Sequence, residues 1–506
     1  MGPRAGPGRD GLTVAGDRGL VRRVRRHHVP PWWRDAKLGI FIHWTPASVP
    51  AFAPVGVDMG ELLAQRRPDA LAWSPYAEWY QNSLAFPQSP VAQHHREVYG
   101  DRPYNEFARD WEAGLVSWDP DDWARRFAAT GARYVVLVTK HHDGYCLWPS
   151  QVRNPHVPGL YSTRDVVGEL AEAVRGQGMR FGVYYSGGLD WTFNDHPLGT
   201  FSDLILAQPG GDYPAYAEAQ VRELIARYRP AVLWNDISWP QSTTKLAALL
   251  ADYYRAVPDG VVNDRFMPRS PAWIVGGTGP GRKLLDAAAA RSAKADRGIV
   301  PPKPPLFDVR TPEYTTFDDV QTTPWECVRG IDESFGHNEE SSEEDFLTRR
   351  DLLWSVVDIT AKGGNLLLNV GPRGRDATIA DAQLRRLDWL ASFTAAAGEG
   401  LFATRPWVHA AGRTDGAEIR YVARDSTVFA FVRAERAPDA PTGATPLVLP
   451  ELRATEATAA TTLDGRPLRS DAGVAGLEVW PEERPDHDVP IMIAVHHAEA
   501  APRGPG

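Results

Sequence analysis

The strongest constraint on the fold is an alternation of short apolar runs with longer helical patterns over residues 31–395. The runs are nearly continuous in Val, Ile, Leu, Phe and Tyr, which is typical of strands buried on both faces of a sheet. They are "KLGIFIHW" (37–44), "RYVVLVTKHHDG" (133–144), "RFGVYYSGG" (180–188), "AVLWND" (231–236), "GVVNDR" (260–265), "LFDVRTPEY" (306–314) and "GNLLLNVGP" (364–372). Between them, helical patterns with apolar residues three and four apart end in Gly or Pro, so strand and helix alternate as in a parallel sheet.

The number of repeats predicts the fold class. About seven strand–helix repeats in roughly 360 residues indicate an α/β fold with a (β/α)8-like barrel, which we assign to residues 31–397 as the catalytic domain. A doubly wound open sheet is the alternative, but no Gly-rich phosphate loop follows the first run. Beyond residue 400 the runs are short and several alternate without a long helix between them, which predicts an antiparallel β-sandwich domain over 398–500.

Two segments fit neither pattern. Residues 1–30 are basic, with no apolar core or small-residue cleavage site of a secretory signal, and we predict a disordered extension. No run of about 18 apolar residues is present, so the sequence predicts a cytoplasmic protein with no membrane partner. Residues 267–305 are rich in Gly, Pro and Ala, and they predict an insertion loop with a short helix near 283–291.

Composition excludes several function classes. The net charge of −9 over 506 residues argues against a nucleic-acid partner, which would need clustered positive charge. The two cysteines are far apart, which is weak evidence for a disulfide, and nothing in the composition indicates a cofactor. The 18 tryptophans suit either the apolar face of a sugar or an ordinary core, and core packing is the commoner use.

Polar side chains finish most of the predicted strands, where a barrel places its active site. They are His43, His141, His142, Tyr184 or Tyr185, Asp236, Arg265 and Glu313. Two carboxyl groups among such donors indicate glycoside hydrolysis, in which one attacks or stabilises an oxocarbenium-like centre and the other protonates the leaving oxygen. Asp236 suits the first role and Glu313 the second, while Trp234 and Trp239 flank Asp236 in sequence.

The motifs "KLGIFIHWTPASVPAFAP", "AEWYQNSL", "VTKHHDGYCLWPS", "GVYYSGGLDW", "LWNDISWP", "VNDR" and "GGNLLLNVGP" resemble those of the α-L-fucosidases of glycoside hydrolase family 29, over about 31–395. The resemblance implies a retaining exo-glycosidase that releases terminal α-L-fucose from fucosylated glycans or glycosides through a covalent intermediate on Asp236. It implies sugar contacts from His43, Glu78, Trp79, His141, His142, Tyr184, Trp234, Arg265 and Phe335. Such enzymes often associate, so a homo-oligomer is compatible with the chain, although no interface can be read.

Two assignments stay open in the sequence. The family carries its acid/base on a variable loop after the "NDR" strand, where "TPEY" offers Glu313 and the alternatives are Asp308 and Glu326. Adjacent His141 and His142 point to opposite faces of a regular strand, so both reach one ligand only if the strand bends or ends there.

Three rival functions follow from the same residues. A metal hydrolase could use His43, His141, His142, Asp143 and Asp236, but no HExxH-like spacing supports one, and we predict no metal site. A sugar-binding protein without turnover would not need two carboxyl groups. A related sugar with another C5 substituent would need space beside Phe335.

Overall fold

The computed structural model describes residues 14–57, 59–65, 67–269, 276–295, 298–414, 416–435, 446–481 and 487–502. Its helices are α1 (Val14–Val24), α2 (Pro31–Ala36), α3 (Met59–Ala64), α4 (Tyr80–Leu84), α5 (Pro90–Tyr99), α6 (Phe107–Gly114), α7 (Pro120–Ala129), α8 (Val166–Gly176), α9 (Phe201–Leu206), α10 (Tyr213–Tyr228), α11 (Thr243–Ala256), α12 (Gly279–Ala295), α13 (Arg349–Ala361) and α14 (Asp381–Leu401). In this part of the chain no helix is long and apolar enough to cross a membrane.

The first sheet is parallel and has seven strands in the order β5-β4-β3-β2-β1-β7-β6. They are β1 (Leu38–Ile42), β2 (Tyr134–Lys140), β3 (Arg180–Ser186), β4 (Val232–Asp236), β5 (Val261–Val262), β6 (Glu326–Gly330) and β7 (Asn365–Val370). Every residue of β1, β2 and β7 is buried, as their apolar sequences predict for a sheet covered on both faces. The predicted α/β fold class is confirmed.

The gap between β5 and β6 is bridged by an irregular segment. The Asp308 and Val309 amides donate to the Val262 carbonyl at 2.9 and 3.2 Å, and the Val328 amide donates to Pro312 at 2.9 Å. The predicted run 306–314 therefore occupies the closing position of the curled sheet without forming a regular strand. The next position belongs to β6, which was not among the predicted runs.

The C-terminal strands form an antiparallel domain. They are β8 (Arg405–Thr414), β9 (Ala417–Arg424), β10 (Thr427–Ala434), β11 (Leu447–Leu449), β12 (Leu452–Arg453), β13 (Ala459–Thr461), β14 (Pro467–Ala472), β15 (Leu477–Trp480), β16 (Ile491–His496) and β17 (Glu499–Ala500). Eight of them make one sheet, in the order β11-β15-β14-β13-β16-β10-β9-β8, and β12 pairs with β17.

Around β10 this sheet is buried on both faces. Side chains such as Val428 and Ala430 form a core within the domain, whereas Phe429 and Phe431 join the core of the first domain. Gly400 of α14 lies under these rings, since a Cβ there would be 3.1 Å from the Phe431 ring. The antiparallel prediction is confirmed, with one continuous curled sheet instead of two separate layers.

The structure differs from the predicted disorder over residues 14–30. Helix α1 occupies the first 11 residues of this range, and Val24 is buried in the main core. The His27 ring stacks on Tyr254 with 3.8 Å between centroids, and its Nδ1 lies 2.9 Å from Asp308 Oδ1. The basic composition of this segment did not indicate these contacts, because they are made by single residues such as Val24 and His27. Residues 1–13 lie outside the described residues.

The insertion also differs in part from its prediction. Helix α12 covers 17 residues, Gly279–Ala295, and so exceeds the expected short helix near 283–291. Residues 270–275 and 296–297 of the insertion lie outside the described part of the chain.

We expect His27→Ala to reduce the free energy of unfolding by about 1–2 kcal/mol, because a hydrogen bond to a carboxylate is lost. Burial lowers the pKa of His27, but the hydrogen bond and charge of Asp308 outweigh it and raise the pKa above 6.5. The protonated histidine thus stabilises the fold below pH 6.5, and this contribution is lost as the pH rises through the raised pKa. Urea unfolding at pH 5.5 and pH 8.5 should show the larger difference from wild type at pH 5.5.

The adjacent His28 is exposed and gives a matched control. An equal loss in His28→Ala, or a loss in His27→Ala that grows with pH, would contradict the assigned contact.

Candidate active site

All eleven predicted site residues line one cavity at the carboxyl ends of the parallel strands. Its volume is about 280 Å³, at the small end of ligand pockets, which begin at about 300 Å³. A cavity of this size suits one sugar ring better than an oligosaccharide.

Asp236 ends β4 and is held by three groups. Its Oδ2 accepts from the Tyr184 hydroxyl at 2.7 Å, and its Oδ1 accepts from the Ile237 amide at 2.8 Å and from Arg265 Nη1 at 3.2 Å. The neighbouring Tyr185 points the other way and donates to Gln220 at 2.9 Å. The alternation of side chains along β3 therefore selects Tyr184 for the cavity.

Arg265 connects the two predicted carboxyl groups. Its Nη1 reaches Asp236, and its Nη2 lies 2.7 Å from Glu313 Oε1. The guanidinium also donates to Thr311 and lies over Trp234, with 4.9 Å from Cζ to the ring centroid. One rigid planar group therefore fixes both carboxyl groups on the same cavity.

The backbone turns sharply after each carboxyl group. Ile237 has φ of 65° and Tyr314 has φ of 51°, both in the left-handed region that such residues rarely adopt. Backbone strain of this kind persists only where the surroundings enforce it, and it clusters at functional sites. Each of the two turns comes directly after one of the carboxyl groups of the cavity.

Two asparagines join the ends of β4 and β5. The Asn235 amide donates to Asn263 Oδ1 at 2.9 Å, and Asn263 Nδ2 donates back to the Asn235 carbonyl at 2.8 Å. The Asn263 side chain thus continues the pairing that the two-residue β5 leaves short. Sequence reasoning missed this role, although the repeated "ND" of "LWND" and "VNDR" carried the signal.

The histidine pair lies where β2 ends. The pairing of β2 with β3 shifts register between Val138 and Lys140, and His141 and His142 follow. Their rings are 3.9 Å apart, and both line the cavity. β2 therefore ends just before His141, and this is why two adjacent histidines can both line the cavity.

Burial keeps the cavity histidines neutral. It lowers the pKa of His43 and of His142 to about 4 and that of His141 well below its usual value. His43 Nδ1 is hydrogen-bonded to Asn369 Oδ1 at 2.6 Å and His142 Nδ1 to Ser186 Oγ at 2.7 Å, whereas His141 Nδ1 has no hydrogen-bond partner among the described residues. A neutral imidazole can donate at one nitrogen and accept at the other, as sugar hydroxyls require.

Glu78 is far from Asp236 and Glu313 in the sequence but lines the same cavity. Its Oε2 accepts from the Gly336 amide at 2.7 Å, and burial raises the pKa of Glu78 to about 7. Near neutral pH it is present in both protonation states and can donate or accept.

Aromatic rings form the walls. Trp79, Trp234 and Phe335 are there as predicted, and Phe335 lies 5.1 Å from the His43 ring between centroids. Sequence reasoning missed Phe41 and Tyr76, which also line the cavity. Phe41 lies on β1 two residues before His43, so the period of two along a strand would have found it. Tyr76 precedes the 3-10 turn Ala77–Trp79, where that period does not apply.

The remaining candidates lie elsewhere. Glu326 is buried beneath the cavity, where it accepts from Tyr134 at 2.7 Å and from Trp234 at 3.1 Å, and Asp308 binds the N-terminal segment. Trp239 is a core residue packed on Phe266. Within the described residues, no group of three or more His, Cys, Asp or Glu side chains is arranged to hold a metal ion.

Comparison with known proteins gives one family. The family model described as α-L-fucosidase matches residues 21–276 and 284–399. The chain belongs to the α-L-fucosidase family, glycoside hydrolase family 29. It is accordingly an α-L-fucosidase, an enzyme that releases fucose.

Individual α-L-fucosidases agree. The enzyme of Branchiostoma floridae is 30% identical over 430 residues, which are 80% of this chain and 79% of that protein. One solved α-L-fucosidase superposes with a TM-score of 0.78 at 35% identity, covering 94% of this chain and 99% of its own. The Thermotoga maritima enzyme in complex with fucose gives 0.75 at 35% identity, with 94% and 98% covered.

We expect Tyr184→Phe to lower kcat/KM on an aryl α-L-fucoside by about 10- to 100-fold, because Asp236 loses a hydrogen bond to a charged acceptor. Tyr185→Phe removes the same atom from the outward-facing neighbour and is the matched control. Steady-state kinetics of both variants decide the matter. Equal effects would mean that the Tyr184 hydroxyl has no special place in the site.

Proposed function

We propose that this α-L-fucosidase is a retaining exo-enzyme, with Asp236 as nucleophile and Glu313 as general acid/base. The observation that carries the proposal is the Arg265 guanidinium, which binds both carboxyl groups at one cavity. Retaining glycosidases use two carboxyl groups close together, one on each side of the scissile bond.

The reaction proceeds in two displacements. Asp236 attacks C1 of fucose while Glu313 gives its proton to the glycosidic oxygen, so that the C1–O bond breaks and the alcohol leaves. Glu313 then takes a proton from water, whose oxygen attacks C1 and releases Asp236. Two inversions return the α-anomer.

The protonation of Glu313 supports its role. Burial raises the pKa of Glu313, Arg265 opposes that shift, and the charge of Asp236 adds to it, with a net rise above 4.5. A raised pKa keeps the acid protonated to higher pH than an ordinary glutamic acid. When Asp236 is consumed by forming the ester, its negative charge disappears and Glu313 becomes easier to ionise, as the second step requires.

The walls fit fucose in its terminal position. Neutral His43, His141 and His142 offer donors and acceptors for hydroxyl groups, with Glu78 as a further partner. Fucose is a 6-deoxy sugar, and its methyl group suits an aromatic surface such as Phe335. The Thermotoga relative's complex with fucose supports the same class of ligand, and the small cavity supports release of one terminal residue.

The nucleophile is tested with Asp236→Gly. We expect kcat to fall by about a thousandfold or more, because no covalent intermediate forms. Added azide should restore turnover of a nitrophenyl α-L-fucoside and give β-L-fucosyl azide, identified by NMR. Wild type assayed in the same way should release α-L-fucose first. Release of the β-anomer by wild type would contradict retention, and turnover of only another glycoside would contradict fucosidase activity.

The acid/base is tested with Glu313→Gln. We expect kcat/KM on a fucoside of a poor leaving group to fall by about 10²–10⁴-fold, and the alkaline limb of the pH profile to disappear. Here azide should yield the α-azide, because Asp236 still forms the intermediate. Glu326→Gln and Asp308→Asn are matched controls at the two alternative positions. A larger loss in either control, without loss in Glu313→Gln, would move the role to that residue.

A further inference from the structure

The catalytic cavity has an apolar outer wall. Half-buried side chains of Met59, Leu204, Ile205, Met267 and Ile299 line it beyond the polar residues, together with Pro301. Among the described lining residues, the aspartates, glutamates and arginines are Glu78, Asp236, Asp264, Arg265 and Glu313. In the described part of the chain, the six residues of this wall therefore offer contact area without strong hydrogen-bonding side chains, and Ser74, Tyr76 and Ser238 are further polar residues of the cavity.

Side-chain contacts from the insertion hold this wall in place. Asp286 of α12 accepts from the Ser202 amide at 2.8 Å and from its hydroxyl at 3.0 Å, and Arg282 pairs with Asp203. Helix α9 is further fixed by the capping box of Thr200 and Asp203. Helix α12 thus clamps the short helix that presents Leu204 and Ile205.

The same wall adjoins the proposed acid. Ile299 and Glu313 exchange two backbone hydrogen bonds, from the Ile299 amide at 3.0 Å and from the Glu313 amide at 2.8 Å. Glu313 protonates the glycosidic oxygen, so the substituent on that oxygen begins beside Ile299 and Pro301. Hydroxyl groups of a second sugar would lose water there without gaining partners, which is unfavourable.

We propose that the leaving-group subsite of this enzyme is apolar and selects fucosides of alkyl or aryl alcohols over fucose linked to another sugar. This inference rests on the proposed function and names its substrate class. The segment 267–305, which precedes Glu313, supplies the selectivity through Ile299, Pro301 and the contacts of α12 with α9.

The test compares methyl α-L-fucoside, hexyl α-L-fucoside and 2′-fucosyllactose. Methyl and hexyl alcohols have similar acidity, so a difference in kcat/KM reports binding of the chain and not bond breaking. Each buried methylene adds about fourfold, and three in contact predict a hexyl-to-methyl ratio of about 60. 2′-Fucosyllactose should be a poorer substrate than the hexyl fucoside. A ratio near one, or a preference for 2′-fucosyllactose, overturns the inference and leaves the fucosidase standing.

Variants locate the effect. Leu204→Ser and Ile205→Ser should each lower the hexyl-to-methyl ratio by about three- to tenfold, since each removes apolar contact. Leu284→Ser is the control, because Leu284 lies on α12, is 74% exposed and does not line the cavity. Circular dichroism checks that each variant is folded. An unchanged ratio in both wall variants overturns the assignment, and absence of turnover on every fucoside in wild type overturns the proposed function itself.

Discussion

The ion pairs of Arg265 with Asp236 and Glu313 are the interaction on which the site depends. Arg265 lies three residues after β5, Asp236 is the last residue of β4, and Glu313 lies on the irregular segment that closes the sheet. A buried guanidinium would be costly without partners, and two buried carboxyl groups would repel each other without it. Each of the three groups therefore needs the other two. Together they connect β4 and the residues after β5 to the irregular segment, beside the proposed reaction centre.

Much of the fold could be predicted because buried parallel strands appear in the sequence as continuous runs of apolar residues. β6 was overlooked since "ECVRG" begins with Glu326 and contains Arg329, two charged residues in five. Glu326 is nonetheless completely buried, because Tyr134 and Trp234 satisfy its oxygens. The hydrogen bonds that stabilise the buried carboxyl group come from residues distant in the sequence, so the local sequence pattern around Glu326 could not predict its burial.

The site was more predictable than its surroundings. Strand ends in a parallel sheet meet at one rim, so polar residues at those ends converge whatever the loops do. Long loops follow no such rule, and the sequence therefore gave no signal for the clamp between α9 and α12. Trp234 and Trp239 flank Asp236 in the sequence, but only Trp234 lines the cavity, because the chain turns at Ile237 and Trp239 packs on Phe266 in the core.

Burial sets the charge state of the whole cavity. It lowers the pKa of three histidines and keeps them neutral, so these rings add no positive charge beside Asp236 and Glu313. It also raises the pKa of Glu78 to about 7. A positive transition state at the sugar ring then meets carboxylate charge that no imidazolium weakens.

The closing segment of the sheet has a different kind of consequence. It is joined to its neighbours by a few backbone hydrogen bonds instead of a long ladder, and the long segment 267–305 lies between it and β5. Substitutions on the leaving-group side therefore need not disturb the seven-stranded sheet that carries the fucose-facing residues. The leaving-group side of the cavity is therefore a place where the substrate range can be changed, by evolution or by protein engineering, with little effect on the stability of the fold.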